Sequence, residues 1–233
     1  MEKLNKDELF SLALHLDLRS LLNFCQGNKY IQNRVCKRNE IWIYKLDKDF
    51  PDFRKLQLKK SFREIYQTLY SLTKLKENLK RKEDIYELYN LKEFYLSNNK
   101  LTEIPKEIGN LTDLQKLYLD NNNLTEITKE ICSLTNLQEL SLHNNQLTEI
   151  PKEIGNLINL QRLSLTTNML TEIPKGIGNL TNLQQLYLSD NKLTEIPKEI
   201  GNLINLRTLE LDNNLLTEIP KEITENENIK IYK

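Results

Sequence analysis

The feature that most constrains this chain is a repeat of 23 residues. The pattern L-x-x-L-x-L-x-x-N-x-L occurs six times, and its copies begin at Leu91, Leu114, Leu137, Leu160, Leu183 and Leu206; in the first copy Phe94 replaces the second leucine. The asparagine keeps one place in every copy: Asn99, Asn122, Asn145, Asn168, Asn191 and Asn214. One such unit cannot bury its own leucines, so successive units must stack on one another.

A period of about 20–29 residues with this signature is typical of a leucine-rich repeat solenoid. The alternation of Leu117 and Leu119 predicts a short strand whose leucines point inward. In the segment after each asparagine, apolar residues recur at spacings of three and four, as in Ile104, Ile108 and Leu111. That spacing predicts a short 3₁₀ or α-helical turn. We therefore predict an α/β fold, in which a curved parallel sheet carries short 3₁₀ or helical turns on its convex side.

Two kinds of repeated residue are predicted to support this stack. The asparagine column is expected to satisfy buried backbone groups between coils, because an amide side chain both donates and accepts hydrogen bonds. The glycines at one phase of the turn (Gly109, Gly155, Gly178 and Gly201) are expected to adopt a left-handed exit. Cys132 replaces glycine in one repeat, as a small residue tolerated there. The last repeat is truncated and has Thr224, Glu225 and Asn226 where glycine, asparagine and leucine are expected.

The side chains between the inward leucines are predicted to line the open concave face and to touch a partner. The candidate partner-binding residues are Tyr95, Lys116, Tyr118, Asp120, Glu139, His143, Arg162, Tyr187 and Glu210. Tyr95 and Tyr118 should stack, and tyrosine is enriched at interface hot spots. The column from Glu93 to Arg162 alternates in charge, which fits either a self-neutralising ladder or a binding surface. His143 beside Asp120 fits either a titrating pair or a surface hydrogen bond.

Charge and cysteine content bear on partners and location. The chain has 33 basic and 33 acidic residues, but residues 1–90 carry 19 basic and 13 acidic side chains, whereas the remainder is acidic overall. This asymmetry suggests two modules with different partners. The three cysteines show neither metal-ligand spacing nor a disulfide framework, which favours a reducing compartment. The first residues lack the order of a signal peptide, and no apolar run is long enough to cross a bilayer. We expect an intracellular protein, in the cytoplasm or the nucleus, without a membrane partner.

The sequence divides into three segments. Residues 1–50 break the repeat and are predicted to form helices. Residues 51–90 are predicted to form a helical linker and the N-terminal cap of the solenoid, with a capping box at Ser61 and Glu64. Basic residues between 74 and 82 are interleaved with acidic ones, which favours a solvated helix face over nucleic-acid binding. Residues 91–233 form the solenoid, with six full repeats and a truncated last one.

The N-terminal segment resembles an F-box. The F-box family opens L-P-x-E-L-L-x-x-I-L-x-x-L-D-L-x-x-L-L and closes near a leucine–tryptophan pair. The matching positions are Leu4, Leu9, Leu12, Leu16, Asp17, Leu18, Leu21 and Leu22, with Ile41 and Trp42 at the closing pair; Asn5, Asp7 and Gly27 depart from the pattern. The resemblance implies that residues 1–60 dock onto a Skp-family linker of a cullin complex. Its implied linker-binding residues are Leu4, Leu9, Leu18, Leu21, Leu22, Ile41 and Trp42. The alternative is a helical cap of the solenoid.

Two functions follow from these observations. One is the substrate-receptor subunit of a Skp/cullin/F-box ubiquitin ligase, in which the concave face binds a protein target. The other is a scaffold or regulatory binding module, of the kind whose 23-residue repeats resemble Ras-associated and phosphatase-regulating families. The two histidines, His15 and His143, lie in different modules, and the sequence contains no phosphate-binding loop or zinc motif. We therefore expect no enzymatic activity, no cofactor, no metal and no nucleic-acid partner.

Overall fold

The computed structural model describes residues 6–27, 29–37, 39–56 and 60–233. The chain forms two compact units, Met1–Tyr89 and Asn90–Lys233. Both predicted N-terminal segments, 1–50 and 51–90, fall almost entirely within the first of these units.

The first unit is helical. Its helices are α1 (Lys6–His15), α2 (Leu18–Gln26), α3 (Lys29–Ile31), a π-helical turn (Gln32–Cys36), α4 (Asn39–Asp49), α5 (Phe62–Asn78) and α6 (Ile85–Tyr89), with a 3₁₀ turn at Phe53–Lys55. Asp17 caps α2, because its carboxylate accepts the Ser20 N–H at 2.9 Å. A capping box between Ser61 and Glu64 begins α5. Ile65 and Leu69 of α5 join the same core as the earlier helices, which explains why residues 1–89 fold as one unit.

Trp42 lies at the centre of this helical core. Its side chain is 1% exposed, and the indole Nε1–H donates to the Cys36 carbonyl oxygen at 2.9 Å. The Tyr66 ring lies 6.0 Å from the Trp42 ring, and the Tyr66 hydroxyl donates to Asp49 at 2.5 Å. Burial and this hydrogen bond raise the pKa of Tyr66. The aromatic cluster therefore ties α4 to α5.

The expectation of no disulfide is wrong for two of the three cysteines. Cys25 of α2 and Cys36 of the π-helical turn are bonded, with their Cα atoms 5.8 Å apart. The two cysteines are 11 residues apart in sequence, a spacing that does not by itself indicate a disulfide. Only the packing of α2 against the π-helical turn brings the two thiols together. Cys132, in the second unit, is free and buried.

The cysteines allow a direct count of thiols. Protein purified without reductant should show no reactive thiol while folded, because Cys132 is buried and burial raises its thiol pKa to about 11. After unfolding in guanidinium chloride one thiol should react with Ellman's reagent, since Cys25 and Cys36 are bonded to each other. Three reactive thiols in the unfolded protein would contradict the disulfide.

The second unit is the predicted solenoid. Seven parallel strands pair in sequence order: β1 (Glu93–Tyr95), β2 (Lys116–Tyr118), β3 (Glu139–Ser141), β4 (Arg162–Ser164), β5 (Gln185–Tyr187), β6 (Thr208–Glu210) and β7 (Lys230–Tyr232). Each strand pairs with its equivalent 23 residues on, as in Leu117 with Leu140, and β7 pairs at a spacing of 22 through Leu209 and Ile231. This confirms the predicted fold class. The truncated last repeat therefore adds a strand of its own.

Short 3₁₀ turns form the opposite side, at Lys106–Asn110, Ile131–Ser133, Lys152–Asn156, Lys175–Asn179 and Lys198–Asn202, and the last turn is the helix α7 (Lys221–Thr224). Prolines such as Pro151 and Pro174 precede these turns, where a missing N–H costs little. The buried isoleucines of the turns and the inward leucines of the strands form one continuous core, as Ile154 and Leu163 show, each 0% exposed.

The predicted left-handed exit at glycine is wrong. None of the glycines in the described residues has a positive φ. The glycines instead allow close packing between coils: a Cβ added at Gly178 would lie 2.6 Å from the Glu199 carbonyl oxygen, and one at Gly201 would lie 2.8 Å from that of Glu222. The glycines are required by the distance between neighbouring turns.

Left-handed residues do occur in every full repeat, one position before the asparagine of the ladder. They are Asn98, Asn121, Asn144, Thr167, Asp190 and Asn213, with φ between 54° and 61°. Asparagine and aspartate tolerate this region better than other residues with a Cβ. This explains why five of the six are Asn or Asp. These residues follow the strand ends and directly precede the ladder asparagines.

Candidate partner-binding face

The asparagine ladder fixes the spacing of the strands that carry the concave face. Asn145 accepts the Leu124 N–H at 3.1 Å and donates to the carbonyl oxygens of Leu119 and Leu142 at 3.0 and 3.1 Å. Asn122, Asn168, Asn191 and Asn214 repeat this pattern one coil apart. Each amide therefore joins its own turn to the preceding coil. Asn99 differs: it is exposed, and its amide donates to Ser97.

A second asparagine ladder was not predicted. Asn136, Asn159, Asn182 and Asn205 each donate from Nδ2 to the carbonyl oxygen 24 residues earlier, at 2.8–2.9 Å. The signal was present in the sequence, because these asparagines also recur every 23 residues. Asp113 holds the equivalent place in the first full coil and instead pairs with Lys92 at 3.1 Å.

The parallel register aligns equivalent residues into columns on the concave face. We call the column that begins at Glu93 the first column, the one that begins at Tyr95 the second, and the one that begins at Ser97 the third. In the first column Lys116 lies 3.0 Å from Glu93 and 3.9 Å from Glu139. These three side chains therefore form an ion-pair ladder in which one cation serves two carboxylates. The hydrogen bond from Tyr95, and then the ion pair with Lys116, lower the pKa of Glu93.

The second column contains the predicted tyrosine stack. The rings of Tyr95 and Tyr118 are 4.9 Å apart and inclined by 11°. Their hydroxyls donate to Glu93 at 2.6 Å and to Glu139 at 2.8 Å. Burial, then the bond to Glu139, raises the pKa of Tyr118 to about 12. Tyr95 nevertheless remains 58% exposed. The stack is therefore a fixed apolar surface that is open to solvent.

Arg162 does not extend the ion-pair ladder. Its guanidinium lies over the Tyr187 ring, 5.0 Å from the centroid. The Lys230 ammonium lies over the Tyr232 ring in the same way, at 4.8 Å. Both predicted residues, Arg162 and Tyr187, thus meet on the concave face. Glu210 lies further along the second column, beside Tyr187 and Tyr232.

Asp120 organises the third column. It accepts the Ser97 hydroxyl at 3.3 Å, the His143 backbone N–H at 3.1 Å and the Ser141 hydroxyl. The bond that joins Asp120 to His143 thus comes from the backbone of His143 and not from its imidazole. A depression lined by Tyr118, Asp120, Glu139, Leu140, Ser141 and Arg162 lies beside this cluster.

The residues implied by the F-box resemblance lie mostly inside the helical unit. Leu9, Leu18, Leu21, Ile41 and Trp42 are buried and Leu22 is partly buried against the same core, while Leu4 lies outside the described residues. Their apolar character is explained by the core of the unit itself. Leu12, which also matches the F-box pattern, is 44% exposed.

Two further properties concern the described residues as a whole. Groups of three or more His, Cys, Asp or Glu side chains able to hold a metal ion do not occur among them. Among the same residues, no helix combines the length and the apolar character needed to cross a membrane.

The stacked coils, the asparagine ladder and the open concave face are the features of a solenoid repeat protein. The model of the leucine-rich repeat region matches residues 49–187 and 129–211, and a leucine-rich repeat model matches residues 205–226. The chain belongs to the leucine-rich repeat family. None of the curated proteins matches it.

Solved structures share the fold. A leucine-rich repeat protein of Leptospira interrogans is 41% identical, with a TM-score of 0.57, over 65% of this chain and 45% of its own. The ectodomain of the Arabidopsis thaliana receptor kinase GASSHO1/SCHENGEN3, solved with Casparian strip integrity factor 2, is 40% identical with a TM-score of 0.58. The match covers 62% of this chain and 18% of the ectodomain chain. InlP of Listeria monocytogenes is 33% identical with a TM-score of 0.54, and the match covers 61% of this chain and 39% of the InlP chain. This chain thus spans less than half the length of each.

Proposed function

We propose that this protein binds another protein on the concave face of the sheet from β1 to β7, and that it acts by binding and not by catalysis. The stacked pair of Tyr95 and Tyr118 carries this proposal. It places aromatic area in solvent while hydrogen bonds to Glu93 and Glu139 hold both rings in place. The two tyrosine side chains therefore lose little conformational entropy when a partner binds there. The convex turns instead repeat nearly the same sequence in every coil.

The change Tyr118→Ala should weaken capture of the partner by about tenfold, as expected for an interface hot spot. It should leave the melting temperature nearly unchanged, because the side chain lies on the surface of the sheet. The measurement is quantitative affinity capture from cell extract, with the wild-type chain as reference. Lys152→Ala on a convex turn is the control and should alter neither property. Should Lys152→Ala prove the damaging change, the concave assignment fails.

The F-box resemblance of residues 4–50 supports a finer proposal, a substrate receptor of a Skp/cullin ubiquitin ligase in the cytoplasm or nucleus. In that case the helical unit docks a Skp-family linker and the concave face binds the substrate. The exposed Leu12 is available for such docking, whereas Leu9, Leu18 and Trp42 are buried and stabilise the helices that carry it. A scaffold or regulatory module without a linker is the alternative, and the disulfide between Cys25 and Cys36 favours it, because disulfides are rare in the cytosol.

Co-purification with a Skp-family linker and a cullin tests the ligase proposal. Leu12→Glu should abolish co-purification while the helical unit stays folded, because Leu12 lies on the surface. Leu18→Glu is unsuitable, since Leu18 is buried and a charge there would disrupt the core. Leu215→Glu, at a leucine of the solenoid that is 62% exposed against 44% for Leu12, is the control. Absence of the linker from the wild-type sample would reject the ligase role and leave the scaffold role.

A further inference from the structure

We propose that the depression beside Tyr118 takes a cationic side chain, arginine or lysine, from an extended segment of the partner protein. This rests on the proposed binding function of the concave face and names the chemistry of what that face recognises. The depression lies over Ser141, with the Tyr118 ring on one side and the carboxylates of Asp120 and Glu139 on its walls.

The order of side chains in the second column creates this space. Tyr95 and Tyr118 are followed by Ser141 and Ser164, and only then by Tyr187. Two small residues thus leave the outer face of the Tyr118 ring without an aromatic neighbour on the next strand. The inner face is covered by Tyr95 at 4.9 Å. A flat or rod-like side chain can therefore enter over Ser141 and rest against Tyr118.

The same sheet already places cations on tyrosine rings. Arg162 covers Tyr187 at 5.0 Å and Lys230 covers Tyr232 at 4.8 Å. These distances lie within the range of a favourable cation–π contact. Among the described residues, no cation of the chain lies over Tyr118 in the way that Arg162 and Lys230 lie over their tyrosines. A cation from the partner would complete the arrangement that the protein makes for Tyr187 and Tyr232.

The charge of the face favours a cation over an anion. The three columns contain five carboxylates (Glu93, Asp120, Glu139, Glu210 and Asp212) and three cations (Lys116, Arg162 and Lys230). Each cation is engaged within the chain: Lys116 with Glu93 and Glu139, and the other two with tyrosine rings. Arg162 forms the far wall of the depression but is drawn towards Tyr187. With five carboxylates and three cations, the concave face has a negative electrostatic potential, which steers positively charged segments towards it.

A displayed library of random seven-residue peptides, panned on the full chain, provides the test. We expect the enriched peptides to contain arginine or lysine, and their synthetic forms to bind more weakly as salt is raised. Replacement of that arginine by citrulline, or of that lysine by norleucine, should weaken binding by about tenfold. Enrichment of acidic or uncharged peptides, or no enrichment over a surface without protein, would overturn the proposal.

Variants of Ser141 locate the site. Ser141→Tyr should stack on Tyr118 and fill the depression, and tyrosine already occupies this column in four strands, so the fold should tolerate it. It should reduce peptide binding by about tenfold or more. Ser164→Ala, on the next strand of the same column and outside the lining of the depression, is the control, with binding retained. Glu139→Gln removes a wall charge and should weaken binding severalfold. Unchanged binding by Ser141→Tyr would place the peptide elsewhere and overturn the proposal.

Binding of the peptides to the variants distinguishes a failure of the cationic partner from a failure of the concave binding function. Uncharged peptides that lose binding in Tyr118→Ala would leave the concave binding function standing and reject the cationic partner. Peptides that are insensitive to changes at both Tyr118 and Ser141 would reject both. Thermal melts of each variant show whether the solenoid remains folded.

Discussion

The change Asn145→Ala should destabilise the solenoid by about 3 kcal/mol. Asn145 is 7% exposed, and its amide bonds the backbone groups of Leu119, Leu124 and Leu142 at 3.0–3.1 Å. Alanine leaves these backbone groups buried without that partner, and each such loss costs about 1–3 kcal/mol. Urea unfolding followed by far-ultraviolet circular dichroism gives the free energy of unfolding. The loss should appear as a lower midpoint of the transition.

Two other asparagines of the ladder serve as controls. Asn214→Ala should cost less, because Asn214 is only partly buried although its bonds follow the same pattern. Asn99→Ala should cost least, because Asn99 is exposed and, within the described ranges, its side-chain amide reaches only the Ser97 carbonyl oxygen of its own coil. Equal losses at all three positions would show that the ladder does not act through bonds between coils.

Gly178→Ala should destabilise the solenoid by about 2–3 kcal/mol. The added Cβ would lie 2.6 Å from the Glu199 carbonyl oxygen and 2.8 Å from the Glu199 Cβ. Both neighbours belong to the next coil or are fixed to its backbone, so the two turns must separate. Overpacking of this kind costs about 1–3 kcal/mol. The free energy of unfolding in urea measures it, and the far-ultraviolet spectrum should keep its native shape.

Gly109→Ala is the matched control for the same place in the repeat. The nearest atoms to its added Cβ belong to Glu130, at 3.1 Å, so a small movement accommodates the methyl group. We expect a loss of less than about 1 kcal/mol there. If the two alanines destabilise the protein equally, helix propensity or backbone entropy, and not the spacing of the turns, governs these glycines.

The fold of the second unit could be read from the sequence because its contacts are periodic. Equivalent residues lie 23 positions apart, and parallel pairing places them side by side, as in the columns that start at Glu93 and Tyr95. Both the order of the strands and the stacking of Tyr95 on Tyr118 follow from that period. The glycines show where the same reasoning failed. Their phase was evident, but the 2.6 Å gap at Gly178 appears only when two turns are placed together.

The helical unit was less predictable because its contacts do not repeat. Its apolar positions predicted helices, yet the same leucines fit a surface for a linker or a core of the unit's own. The structure buries Leu18 and Trp42 and leaves Leu12 in solvent. Periodicity gives the face of one helix, and only packing against α5 decides what covers that face.

The sequence by itself determined the repeat, the parallel sheet and the side chains of the concave face, because a fixed period with inward leucines admits one way of stacking. The tertiary structure alone decided three matters: the bond between Cys25 and Cys36, the contact of Arg162 with Tyr187 in place of Glu139, and the depression over Ser141. Each depends on distances between side chains that come from different coils or helices. Such distances are set by packing, which the order of residues along the chain does not express.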